Sequence, residues 1–200
     1  MAYPQTDVQT LKMSFEDFLK YDEHMCAEWV NGEVFPMSPA SDRHQNVNGF
    51  LESILRIYVE SKNLGIIRGV PFLMRLNKSK AREPDLLFLS NVNQDRLLPT
   101  YLDGAADLVI EIISPESIAR DREIKFSEYE QAGIPEYWLI DPILKSAEFY
   151  QLENDDYRTI DLQDGIYHSK VLTDFQFIES WLWQDPLPNI LDILKHLNVI

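Results

Sequence analysis

Arg82-Glu83-Pro84-Asp85-Leu86-Leu87-Phe88-Leu89 and, downstream, Asp107-Leu108-Val109-Ile110-Glu111-Ile112-Ile113-Ser114-Pro115 decide the reading of this 200-residue chain. Both are short, nearly continuous apolar runs of the kind that form strands buried on both faces. At the edge or in the middle of each apolar run stands one carboxylate, Asp85 or Glu111, among neighbours that make an unpaired charge costly. The two acids are 111 − 85 = 26 residues apart, enough for two adjacent strands joined by a loop. Neighbouring strands lie about 4.8 Å apart, so the carboxylates can converge on one hard cation.

Outward from this pair, the pattern alternates strands and helices. Ser14-Phe15-Glu16-Asp17 resembles a capping box for a short helix to about Tyr21. Asn31-Gly32 is a two-residue hairpin signal, and Glu33 follows it, either as a solvated turn residue or facing the site. Ser41 caps a long helix to about Lys62, with Val47, Leu51, Ile54, Leu55 and Tyr58 as its buried stripe. His44 extends that stripe into the first turn, as a core histidine or a catalytic one.

Residues 65–70 and 72–76 read as strands around Pro71. After the Glu111 strand, Ser114-Pro115 suits an N-cap with proline at the first helical position, and Gly133 suits the helix end. Within that helix Ile118, Arg122, Lys125, Tyr129 and Ala132 share a face by steps of three and four. On this reading Lys125 faces the sheet, its alternative being a surface ion pair with Asp121. Glu136–Asp141 is a further buried strand, residues 145–150 and 157–162 a β-hairpin, and the tail from Pro188 onward ends in a short amphipathic helix with Ile190, Leu191, Ile193 and Leu194 on its apolar side. The expectation is one α/β domain over residues 1–200.

Composition narrows the function. Net charge is 18 − 33 = −15, which argues against a protein coated in basic patches. Residues 41–82 nevertheless carry eight basic against three acidic side chains, and residues 146–200 three against ten. Either the surfaces balance each other, or the 41–82 flank faces nucleic acid. No apolar run approaches the roughly 20 residues of a membrane span. Met1–Asp7 lacks the features of a secretory signal and Cys26 is alone, so the expected compartment is the cytoplasm. A homodimer is compatible with the sequence.

These motifs, in order, resemble the Uma2 family of endonucleases, which has the restriction endonuclease-like fold of the PD-(D/E)XK nucleases. Glu28-Trp29-Val30-Asn31-Gly32-Glu33 resembles its opening strand, Pro84-Asp85 its PD, and Asp107–Pro115 its second-carboxylate strand. Lys125, Tyr129, Gly133 and Glu136–Pro142 resemble the segment that follows. The resemblance implies a mixed β-sheet flanked by helices with an added β-hairpin, and a metal-dependent DNA endonuclease. Asp85 and Glu111 would be its metal ligands, and His44 and Glu33 would complete the rim. The wider superfamily places lysine two residues after the second carboxylate, where this chain has Ile113, so the resemblance points to Lys125 as the displaced lysine. The alternative is a nuclease fold retained as a binding or interaction module without catalysis.

Overall fold

A computed structural model describes residues 11–21 and 26–200; the Met1–Asp7 segment lies outside them. In chain order the elements are β1 (Leu11–Lys12), α1 (Phe15–Phe18), β2 (Ala27–Val30), β3 (Glu33–Pro36), α2 (Asp42–Ser61), β4 (Gly65–Gly69), β5 (Leu73–Asn77), β6 (Lys80–Arg82), β7 (Leu86–Ser90), β8 (Tyr101–Asp103) and β9 (Leu108–Ile112). There follow a π-helical turn (Arg120–Lys125), α3 (Phe126–Gln131), β10 (Glu136–Asp141), β11 (Ser146–Glu153), β12 (Asp156–Thr159), β13 (Ile166–His168), β14 (Gln176–Ile178) and α4 (Ile190–His196).

The strands form two six-stranded mixed sheets, ordered β1-β3-β2-β6-β5-β8 and β12-β11-β10-β9-β7-β4, and the small β13-β14 ribbon. The fold is mixed α/β, with the β11-β12 hairpin added at one edge of the second sheet. Asn31 and Gly32, with φ of 52° and 83°, turn β2 into β3, as the Asn-Gly pair requires.

Period-two alternation distributes the second sheet's side chains between two cores. Leu108, Ile110 and Ile112 of β9 pack toward Val47, Leu51 and Ile54 of α2. Val109 and Ile113 pack on the opposite side with Tyr129 and Tyr137, and Glu111 shares their side of the strand. The quoted Arg82–Leu89 stretch is a crossover rather than one strand. β6 ends the first sheet at Arg82, Glu83-Pro84-Asp85 crosses, and β7 enters the second sheet at Leu86.

Three expectations about helices change. Ser114 and Pro115 form a turn closed by Ser117, whose Oγ accepts from the Ser114 N–H, and helical structure begins at Ile118. The π-helical turn then shifts the phase: Ser117, Asp121, Lys125 and Tyr129 point inward, while Ile118 is exposed and the half-buried Arg122 turns aside to pair with Glu148 and the buried Asp141. In α4, Ile193 and Leu194 are buried but Leu191 is exposed.

Candidate active site

The register of β7 on β9 pairs Leu86 with Ile110, Leu87 with Val109 and Phe88 with Leu108. One further step brings Asp85 opposite Glu111, on the same side of the sheet. Asp85 is fixed at both oxygens. Its Oδ2 accepts from the Ile112 N–H at 2.7 Å, and its Oδ1 lies 3.3 Å from His44 Nε2. His44 reaches it from the first turn of α2, where Ser41 Oγ accepts from the His44 N–H. Burial works against a charge on the imidazole, but Asp85 and the Ile112 backbone outweigh it and hold its pKa above the ordinary value.

Glu111 Oε1 takes two donors, Lys125 Nζ at 2.8 Å and the Tyr129 hydroxyl at 2.6 Å. Inward spacing of four residues brings both onto the strand, and Lys125 has no solvent exposure. Its ammonium also lies 2.9 Å from Glu28 Oε1 and 3.6 Å from Asp121 Oδ1. Burial opposes that charge, but Glu111 and Glu28 raise the lysine pKa above its ordinary value. Burial pushes the Glu111 carboxyl up to about 8, with Lys125 pulling the other way.

Glu28 is the site residue that sequence reasoning passed over in favour of Glu33. On β2 it stands one register step beyond the Trp29–Ala81 pair, opposite Arg82. Arg82 Nη1 donates to Glu28 Oε2 at 2.6 Å, and its Nε and Nη2 grip Glu128 at 2.7 and 3.0 Å. Burial works against the Glu28 charge, yet Lys125 and Arg82 hold its pKa down at about 2. Glu33 lies elsewhere, paired with the exposed Lys12 at 2.9 Å. Its place directly after the hairpin turn sends it to the β1 edge of the sheet.

The carboxylates open on a cleft of about 460 Å³, walled on one side by Met37, Ser38 and Pro39 of the β3–α2 loop. His44, Glu83, Asp85, Glu111, Arg120 and Asp121 line the rest. Glu83 is buried with Oε2 unpartnered. Burial, then the charge of Glu28, pushes its carboxyl up to about 7. Cys26, exposed and without a disulfide, sits at the rim.

Among the described residues, no three Asp, Glu, His or Cys side chains gather closely enough to hold a metal on their own. The donor set still fits Mg²⁺, which takes one or two protein carboxylates and completes its shell with water and phosphate oxygens. Asp85 and Glu111 are opposed hard-oxygen donors. Both Glu111 donors fall on Oε1, which leaves Oε2 for a ligand.

The 41–82 flank is less basic at its surface than its composition. Arg82 is buried, Lys80 pairs with Glu128 at 3.0 Å, and Arg56 pairs with Glu52. Arg75 lies over the Phe15 ring and 4.0 Å from Asp103. No helix among the described residues is long and apolar enough to cross a membrane.

Three comparisons bear on this arrangement. No curated protein sequence matches the chain. A putative nuclease belonging to DUF820 from Anabaena variabilis ATCC 29413 has a similar crystal structure, with a TM-score of 0.72 at 16% identity over 86% of this chain and 97% of that one. At that identity the likeness is one of fold. The model of the Uma2 family, described as putative restriction endonuclease, matches residues 15–179, and the chain is therefore a member of the Uma2 family.

Proposed function

We propose that this chain is a metal-dependent DNA endonuclease that hydrolyses phosphodiester bonds at the Asp85–Glu111 pair. The observation that carries the reading is the register of β7 on β9, which opposes two carboxylates at the floor of a cleft. Family membership supports a nuclease; the metal is argued from the opposed carboxylates, and the DNA substrate from the family resemblance and the basic balance of residues 41–82. Asp85 and Glu111 would hold Mg²⁺ or Mn²⁺, which when bound supplies charge stabilisation to the phosphoryl group.

The chain's own residues divide the remaining work. The Ile112 N–H and His44 orient Asp85, and Lys125 and Tyr129 orient Glu111. Lys125 keeps its proton among three carboxylates, so it acts as a fixed positive charge that aims Glu111 and offsets phosphate charge, not as a base. Arg120, also on the cleft wall, is suited to contact a phosphate. Glu33 has no part in this reading.

A second reading, a nuclease fold serving as a binding or interaction module, is favoured by the net charge of −15, because phosphate affinity draws on cationic surface. Cleavage of supercoiled and linear DNA with Mg²⁺, Mn²⁺ or EDTA separates the two. Nicking that needs the metal and disappears in Asp85→Ala supports the nuclease. Absence of metal-dependent cleavage, or cleavage that survives in Asp85→Ala, rejects it.

A further inference from the structure

Lys125 Nζ stands between carboxylates from two different sheets, 2.8 Å from Glu111 Oε1 and 2.9 Å from Glu28 Oε1. Were Glu111 its sole partner, the ammonium would cancel that carboxylate's charge. A divalent cation arriving at Glu111 would meet a fixed positive charge a few ångströms away. Such repulsion is large even at an effective dielectric of about 20. Glu28 supplies the balancing negative charge from the far side. It is not among the residues lining the cleft, so it does so without competing for the cation.

The surroundings hold Glu28 to that position. Arg82 Nη1 takes its other oxygen at 2.6 Å, and Glu128 fixes the same guanidinium through Nε and Nη2. Glu28 is 1% exposed, so bulk water does not screen its charge. Lys80, 3.0 Å from Glu128, closes the chain of charges at the surface.

We propose that Glu28 is a positioning residue for the cation site: it shares the Lys125 ammonium with Glu111, and thereby leaves Glu111 enough negative charge to take a divalent ion. The proposal rests on the Asp85–Glu111 reading above and adds to it a residue that acts on the ion only through Lys125.

Calorimetric titration of Mg²⁺ and Mn²⁺ into the metal-free protein, without DNA, tests it. Glu28→Gln keeps the shape and an acceptor for Arg82 but removes the charge, and should weaken Mg²⁺ binding by about tenfold or more. Glu28→Gln combined with Lys125→Met removes both charges, and should return the affinity to within about threefold of the wild type. A merely structural role for Glu28 gives no such recovery, since the double variant loses more contacts than the single one. Near-UV circular dichroism on each variant checks that the affinities belong to folded protein. Unchanged affinity in Glu28→Gln, or no recovery in the folded double variant, overturns the role of Glu28 while leaving the carboxylate pair intact. Failure of the wild type to bind either ion, or binding that persists in Asp85→Asn, removes the carboxylate site itself and the proposal with it. Should Glu28→Gln not fold, Lys125→Met decides alone: removing the ammonium must tighten Mg²⁺ binding, and weaker binding in folded protein overturns the proposal.

Discussion

Lys125→Met should be one of the most destabilising substitutions of a surface-type residue in this chain. Lysine is almost never fully buried unless paired, and here the ammonium has no exposure and three carboxylate neighbours at 2.8, 2.9 and 3.6 Å. Methionine fills most of the volume left by the lysine stem, so cavity terms are small. The charge is what goes missing. Glu28, Glu111 and Asp121 then face one another without their shared cation, and Glu28 keeps only Arg82.

Removing one partner of a buried ion pair costs about 3–5 kcal/mol. For a chain of this size each kcal/mol lowers the melting temperature by about 2–4 °C. A drop of about 6–20 °C is the expected result, read by circular dichroism on metal-free protein, with guanidinium unfolding for the free energy. The deficit should shrink as pH falls, because protonating Glu111, whose carboxyl burial already pushes up to about 8, relieves the repulsion that the lysine had relieved. Adding Glu28→Gln should recover part of it. A loss below about 1 kcal/mol, the range of an exposed pair, would refute the reasoning that the ammonium is the organising charge of the site.

Among the described residues Glu33 pairs with Lys12 alone, a lysine three-quarters exposed, so in Glu33→Gln DNA cleavage and Mg²⁺ affinity should match the wild type, and an effect on either would restore Glu33 to the site. Glu83→Gln tests a pH window: a carboxyl held at about 7 in the folded chain, above its ordinary 4.5, gives stability that is full below about pH 4.5 and lost as pH rises through 7. The variant should therefore gain on the wild type by about 3 kcal/mol between pH 4.5 and 8 in metal-free melts, and parallel curves would show that Glu83 ionises freely. Replacing Lys62 and Lys78 with glutamine, two cations of the 41–82 flank that form no ion pair among the described residues, should flatten the salt dependence of DNA binding. An unchanged slope would move the DNA contact off that flank.

Much of the site was legible because it obeys one local rule. A carboxylate inside an apolar strand needs a partner, and the rule picks out Asp85 and Glu111 without any knowledge of the fold. It applies equally to Glu28, between the buried Ala27 and Trp29, yet the hairpin signal at Asn31-Gly32 drew the reading on to Glu33. The turn was right, and it sends Glu33 to β1 and Lys12. The split into two sheets was not legible, since Arg82–Leu89 looks like one strand until Arg82 finds Glu28 in one sheet and Leu86 finds Ile110 in the other. Nor were the partners of the basic flank, because composition counts Arg82 as surface charge while cross-strand pairing buries it.

Helix phase shows how a residue can be assigned to the right place for an incomplete reason. Counting by threes and fours from Ile118 put Lys125 and Tyr129 inward, and both are. The same count put Ile118 and Arg122 inward, and neither is. The π-helical turn over Arg120–Lys125 advances the chain by more residues per turn than an α-helix, so the inward row runs through Ser117, Asp121, Lys125 and Tyr129. That row brings an aspartate beside the lysine as a third buried acid, where a regular count left it as the lysine's surface partner. Wide helical turns of this kind are frequent at functional sites. Here the turn lets a lysine absent from the Glu111 strand reach Glu111 from the following helix, with Glu28 waiting on its other side.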